Sequence, residues 1–292
     1  MELHSIDLPV WKLRKQMCDI GHRIWQRGYC AGNEGNHSLR ISDERVLCTP
    51  TGLSKGFLEP EDLCIVDMDG TQVEANPRGR KRSSEILMHL AIYKHRPDIR
   101  AVVHSHPPHA TAFALTNTRI PEGIHPEAEV FLGRIPFAPY ATPSKPDLGI
   151  SVVEKIGPNT NTVIMGNHGT VSFDKSLTEA YYKLEILDAY CRILLLCSQM
   201  GARPNVLNPG QMAELLEIKE KFGMHDDRLA CAADGCASPQ EQPFFTTFGD
   251  VVPTSAKCQC ACGGESDSAG GDDHAFEQLV RTITDQIISA AR

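Results

Sequence analysis

His104 and His106 stand two residues apart at the end of an apolar run, Ala101–His106. A strand repeats every two residues, so both imidazoles leave one face and offer a bidentate platform for a metal ion. His168, between Asn167 and Gly169, closes a second short apolar run, Thr162–Met165. Three neutral imidazoles with an open fourth position suit a catalytic zinc acting as a Lewis acid on a carbonyl oxygen. The same histidines also fit a plainer role as half-exposed side chains in ordinary hydrogen bonds.

Glu85 follows Ser83 and Ser84 at what reads as a hydroxyl-capped helix start. Its carboxylate fits a helix-dipole partner, a fourth metal ligand or a general acid/base. Once freed from a metal, a carboxylate in a partly dry site can have the raised pKa that a proton donor needs. Ser83 and Ser84, with free N–H groups at the same helix start, suit a phosphate. Two glycine turns, Gly32–Asn36 and Thr51-Gly52, can add backbone donors. Neither matches the nucleotide-binding loop G-x-x-x-x-G-K-[ST].

The elements that must position these residues alternate along the chain. Leu13, Met17, Ile20 and Ile24 have helical spacing within residues 8–27. Strand-like pieces follow at His37–Ile41, Arg45–Thr49 and Leu63–Asp67, then a helix from Ser83 that stops before Pro97. After the strand Ala101–His106, residues 109–115 read as a helix, Thr162–Met165 as a strand and Leu177–Gln199 as a long helix. The alternation predicts a layered α/β domain.

Composition narrows the function classes. The chain has 292 residues, 41% of them hydrophobic and 23% charged, enough for a sizeable core. A net charge of −8 leaves no excess of cations for a general nucleic-acid binder. No apolar run approaches the ~20 residues that span a bilayer. The N-terminal residues lack signal-peptide order, so the eleven cysteines are expected to be mostly free thiols in a cytoplasmic protein.

The order Gly35-Asn36, Thr51-Gly52, Ser83-Ser84-Glu85, Val103-His104-Ser105-His106 and Asn167-His168-Gly169 resembles the class II aldolase/adducin family. The likeness is strongest to its fuculose- and rhamnulose-phosphate aldolases and spans residues 8–225, including SSEILMHLAIYKHRPDIRAVVHSHPPHATA and MGNHGTVSFDKSLTEAYYKLEILDAYCR. The resemblance implies a three-layer α/β/α sandwich around a mainly antiparallel sheet. It implies Zn2+ on His104, His106 and His168 with Glu85 as fourth ligand, and a phosphate pocket of Asn36, Thr51, Gly52, Ser83 and Ser84. It implies a homotetramer with active sites between subunits. The reaction implied is retro-aldol cleavage of L-fuculose or L-rhamnulose 1-phosphate to dihydroxyacetone phosphate and L-lactaldehyde, with Glu85 returning a proton to carbon. An epimerase, a dehydratase, a decarboxylase or a non-enzymatic adducin-like scaffold are the alternatives within the family. Such aldolases use tyrosines where this chain reads Ile124-His125-Pro126-Glu127 and Phe222-Gly223-Met224-His225, so His125 and His225 become the candidate proton donors.

Past residue 225 the character changes. Residues 226–271 read as a Cys/Gly/Ser-rich, low-order linker, and 272–292 as a short amphipathic helix with its stripe at Phe276, Leu279, Val280, Ile283, Ile287 and Ile288. That arrangement resembles the encapsulation peptides of bacterial microcompartment cargo, which implies a shell protein as partner of residues 276–288. A helix packed back on its own or a neighbouring subunit is the alternative. Cys231, Cys236, Cys258, Cys260 and Cys262 fit either reduced thiols or a second metal site.

Overall fold

A computed structural model describes residues 9–246. Helix α1 (Val10–Gln26) leads into β1 (Asn36–Arg40), β2 (Val46–Cys48) and β3 (Cys64–Val66). Next come α2 (Ile86–His95), β4 (Ala101–Ser105), α3 (Pro108–Thr116), α4 (Pro126–Phe131), β5 (Phe137–Ala138) and α5 (Pro146–Val153). The hairpin β6 (Thr162–Met165) and β7 (Gly169–Asp174) precedes α6 (Leu177–Gln199), α7 (Pro209–Lys221) and the single turn α8 (Pro243–Thr246).

The strands form one seven-stranded sheet in the order β3-β2-β1-β4-β7-β6-β5. Every neighbouring pair is antiparallel except β5 with β6. Alternation along each strand splits the core into two layers. Val46, Val66, Val102, Val163 and Val171 meet α2 and α5 on one face. Leu39, Leu47, Ile65, Ala101 and Val103 meet α1 and the start of α6 on the other. The chain is therefore an α/β/α sandwich with a mainly antiparallel sheet. His104 and His106 share the parity of Val102, so they lie toward the α2 and α5 layer, where Glu85 ends the approach to α2.

Polar side chains of β1 are buried on both faces of the sheet. Ser38 Oγ lies 2.7 Å from His89 Nδ1 and 2.8 Å from the Tyr93 hydroxyl, while His37 Nε2 donates to the Met17 carbonyl at 2.8 Å. Burial pushes the His37 imidazole down to about 4 and that of His89 to about 3, from the ordinary 6.5. Both are held neutral, so the unfolded chain binds more protons below the ordinary value, and stability falls as pH drops through that window. At about pH 5 each histidine costs on the order of 2 kcal/mol relative to neutral pH. Calorimetric melts should lose stability steadily from about pH 7 to about pH 5; an unchanged melting temperature over that range would contradict the buried, neutral assignment.

The structure departs from the sequence reading in several places. Strands β5 and β7 and helices α4, α5, α7 and α8 were not expected, and no side chain caps α2, which starts at Ile86 with Glu85 as its N-cap residue. Ser83 Oγ instead accepts from the Glu85 backbone N–H at 3.3 Å. Residues 226–246 are not a low-order linker. A 3-10 stretch over Asp227–Asp234 packs on α7, and Phe244 and Phe245 are buried against Phe113 and the α6 residues of the third core cluster. Their apolar side chains found a surface that the surrounding Cys, Gly and Ser obscured. The remainder of that linker, Cys258, Cys260, Cys262 and the helix at 272–292 lie outside the described residues.

Cys231 and Cys236 are disulfide-bonded rather than free. The turn at Gly235, with φ of +91°, brings their Cα atoms to 5.7 Å, within bridging range. Cys18, Cys30, Cys48, Cys64, Cys191 and Cys197 are free thiols. No helix among the described residues is long and apolar enough to cross a membrane.

Candidate active site

The central strand β4 carries the site. Its register sets Asn36 of β1 opposite His104, and Thr170 of β7 opposite Ser105. Met165 pairs with Gly169, so the β6–β7 turn is three residues, with Asn167 in the left-handed region at φ of +54°, a conformation asparagine tolerates better than most. That turn sets His168 beside the His104–His106 pair. The three ring centroids are 4.8, 4.9 and 5.0 Å apart and inclined by 62–68°, three blades around one point.

Hydrogen bonds fix which nitrogen each ring presents. His104 Nδ1 donates to the Thr170 carbonyl at 2.8 Å, and His106 Nδ1 is 2.9 Å from Glu34 Oε2. Both Nδ1 atoms therefore carry the proton, and both Nε2 atoms present lone pairs. Those Nε2 atoms are 3.2 Å apart. Two lone pairs at that distance repel unless a cation lies between them. Tetrahedral ligands at the usual metal–nitrogen length sit about 3.3 Å apart. Glu85 completes the arrangement: Oε2 is 3.3 Å from His104 Nε2 and Oε1 3.4 Å from His168 Nε2. One ligand nitrogen from each of the three histidines lies within 4.8 Å of the others, and among the described residues this is the one such group. The donor set fits a divalent cation.

Burial alone would raise the Glu85 carboxyl. Positive charge held at the facing imidazoles, first at His104 and then at His168, and the amide of Asn36, which donates to Oε2 at 2.7 Å, more than offset it; with the rings neutral, a divalent cation among them would be the source of that charge. The group is held well below the usual carboxylate range and is ionised in this arrangement. His168 is pushed down to about 3, first by burial and then by the neighbouring histidines, so it too is a neutral ligand.

Beside the histidines lies a cleft of ≈ 350 Å³ whose walls include Asn36, Thr51, Gly52, Ser83 and Ser84. Short ladder-like bonds bring these segments together. Thr49 N–H donates to the His37 carbonyl, Ser83 N–H to the Thr49 carbonyl and Thr51 N–H to the Lys81 carbonyl. Ser84 Oγ accepts from Ser144 Oγ at 2.8 Å. Glu34, which orients His106, and Lys55, which sits behind the cleft, were missed in the sequence. An acidic residue within a Gly/Asn turn was the available sign of the first; nothing marked the second.

His125 and His225 are not at the cleft of their own chain. His125 precedes α4, its ring 5.5 Å from Tyr190 and its Nδ1 3.4 Å from Glu127. His225 is 63% exposed between Glu220 and Asp227, at a separate cavity shared with Arg96 and Lys175. Hydrogen bonding to Glu220 and its charge raise the His225 pKa.

Gly169 leaves no room beside the histidines. A Cβ there would stand 2.6 Å from His106 Cδ2 and 2.8 Å from the Ser105 carbonyl oxygen. Gly169→Ala should shift the His106 ring and weaken divalent-metal affinity by about 10- to 100-fold, as changes in ligand support do. Competition against a chromogenic chelator measures this; unaltered affinity would show that His106 is not a ligand.

A sandwich of this topology with three converging histidines and a carboxylate defines a candidate site for a divalent metal. The chain belongs to the class II aldolase and adducin N-terminal domain family, whose profile covers residues 15–195. It is 37% identical over 179 residues to an L-fuculose phosphate aldolase of Methanococcus vannielii, spanning 61% of this chain and 93% of that protein. It is 34% identical over 208 residues to a 3-oxo-tetronate 4-phosphate decarboxylase of Escherichia coli, spanning 70% and 94%. Among solved structures, an L-fuculose 1-phosphate aldolase superposes with a TM-score of 0.63 at 26% identity, covering 73% of this chain and 96% of that one.

Proposed function

We propose that the chain cleaves a ketose 1-phosphate, L-fuculose or L-rhamnulose 1-phosphate, to dihydroxyacetone phosphate and L-lactaldehyde. The observation that carries this reading is the pairing of the Glu85 oxygens with His104 and His168 beside a cleft of hydroxyl and amide donors. His104, His106, His168 and Glu85 would hold Zn2+, which when bound supplies Lewis-acid polarisation of the substrate carbonyl. Asn36, Thr51, Gly52, Ser83 and Ser84 bind the phosphate. Asn36 also tethers Glu85 and keeps its carboxylate aimed at the histidines. Substrate that displaces Glu85 from the histidines removes the contacts that depress its pKa, and the carboxylate then serves as the group that returns a proton to carbon. In a homotetramer with the cleft at a subunit boundary, His125 or His225 of a neighbouring copy is the candidate donor on the aldehyde side.

A decarboxylase acting on a 3-oxo-acid phosphate is the second reading. It is favoured by the longer match to the Escherichia coli relative and by the missing tyrosines. Coupled detection of dihydroxyacetone phosphate from the two ketose phosphates, against carbon dioxide release from 3-oxo-tetronate 4-phosphate, separates the two. Cleavage of neither ketose would end the aldolase reading. The C-terminal residues fit delivery of the enzyme to a microcompartment in the cytoplasm. Deleting residues 263–292 should abolish co-purification with shell protein and leave turnover intact; lost turnover would favour a helix packed on the enzyme.

A further inference from the structure

Lys55 is 1% exposed, yet among the described residues its ammonium has no ion-pair partner. Its Nζ donates to two backbone carbonyls, Leu53 at 2.6 Å and Asn33 at 3.0 Å. A buried charge satisfied only by neutral acceptors is costly, and it persists where something compensates it. The backbone explains how the residue is held inside. The 3-10 turn Lys55–Phe57 presses on α1 where Gly21 leaves space, since a Cβ there would come 2.8 Å from the Lys55 carbonyl oxygen. Gly56 in turn lies flat against the Trp25 indole.

Asn33 belongs to one glycine turn of the cleft and Leu53 directly follows the other, Thr51-Gly52. One ammonium thus ties the two turns together. Apart from the cation proposed for the histidine end, the cleft lining holds no fixed positive side chain: no lysine or arginine lines it, whereas Glu34 and Glu85 do. Arg82, beside the serines, is committed to the carbonyls of Gly70 and Ser83. Away from the histidines, at the two glycine turns and the serines, an anionic group would meet only neutral donors, with Lys55 as the cation behind the wall.

We propose that Lys55 is a positioning residue for the anionic end of the substrate, clamping the two glycine turns and supplying the positive charge that the cleft surface lacks. The proposal rests on the reading that this cleft takes a phosphorylated ligand. Burial lowers the Lys55 pKa to about 8, partly offset by the charges of Cys30, Glu34 and Glu85, so the group is still largely protonated at neutral pH. Its role is electrostatic and structural, with no proton transferred.

The test compares the full-length, metal-loaded protein with Lys55→Met and Lys55→Gln. Calorimetric titration with inorganic phosphate should give affinities about tenfold weaker in both variants, since both lose the charge although glutamine keeps donors for the carbonyls. Metal content should not change, and KM for the ketose phosphate should rise more than kcat falls. A folded, metal-loaded variant that binds phosphate as tightly as the parent overturns the role of Lys55 alone. A parent that binds no phosphate overturns the phosphate reading and, with it, this one. Should neither variant fold, carbon-13-labelled lysine in the parent decides: phosphate should move the Lys55 ε-carbon resonance, and an unmoved resonance at saturation refutes the proposal.

Discussion

His106→Ala should purify with little divalent metal and lose turnover by about a thousandfold or more, the scale expected when one of three imidazole ligands is removed from a site worth 10–16 kcal/mol. His106 is a cleaner probe than His104. Its side chain is 21% exposed, whereas that of His104 is fully buried and donates to the Thr170 carbonyl, so its loss would also open a cavity and strand a buried acceptor. Metal analysis of the purified variant, together with its melting curve, separates the two effects. If His106→Ala retains stoichiometric metal and activity, the three rings are a hydrogen-bonded cluster and the lyase assignment of this site fails.

Glu85→Gln is the second large effect. The amide keeps the shape and one acceptor but removes the charge and the transferable proton. General acid–base groups contribute roughly 10²–10⁴-fold, and kcat should fall by that range. Three histidines remain, so the metal should stay bound, more weakly. A mere helix-dipole partner predicts a loss of stability below about 1 kcal/mol and unaltered turnover. The geometry is already against that view: no side chain caps α2, and both carboxylate oxygens face imidazoles. The depressed pKa adds a sign. A carboxyl titrating below its unfolded value stabilises the fold at neutral pH and loses that contribution as pH falls through its own low value. Glu85→Gln should therefore flatten the acid limb of the stability profile.

The His104–His106 pair was legible because the sequence signal was local. An apolar run ending in His-Ser-His has one reading as a strand, and period two then aligns its imidazoles. Joining His168 to them took the motif order, since nothing local says that β6 and β7 fold back beside β4. Helices α4 and α5 were hidden because each is short and opens on proline, at Pro126 and Pro146, where the sequence suggests a turn. Helix α7 had its signs, an Asn208 and Gln211 capping box around Pro209, but too few buried side chains to show a stripe. Lys55 was illegible for a different reason. Lysine type predicts exposure, and only the packing of its turn on Gly21 reverses that. The low resting pKa of Glu85 was not legible because the neighbouring imidazoles and the Asn36 amide depend on register.

The ligating groups come from the approach to one helix, the end of a middle strand and a hairpin far along the chain, residues 85, 104, 106 and 168. No single element supplies all four groups, so an ion held by them could be captured only after β4 closes against β7. An ion gripped only after that step slows escape from the native state while leaving the rate of reaching it nearly untouched. Chelation would then reveal itself first as a shortened lifetime of the native state.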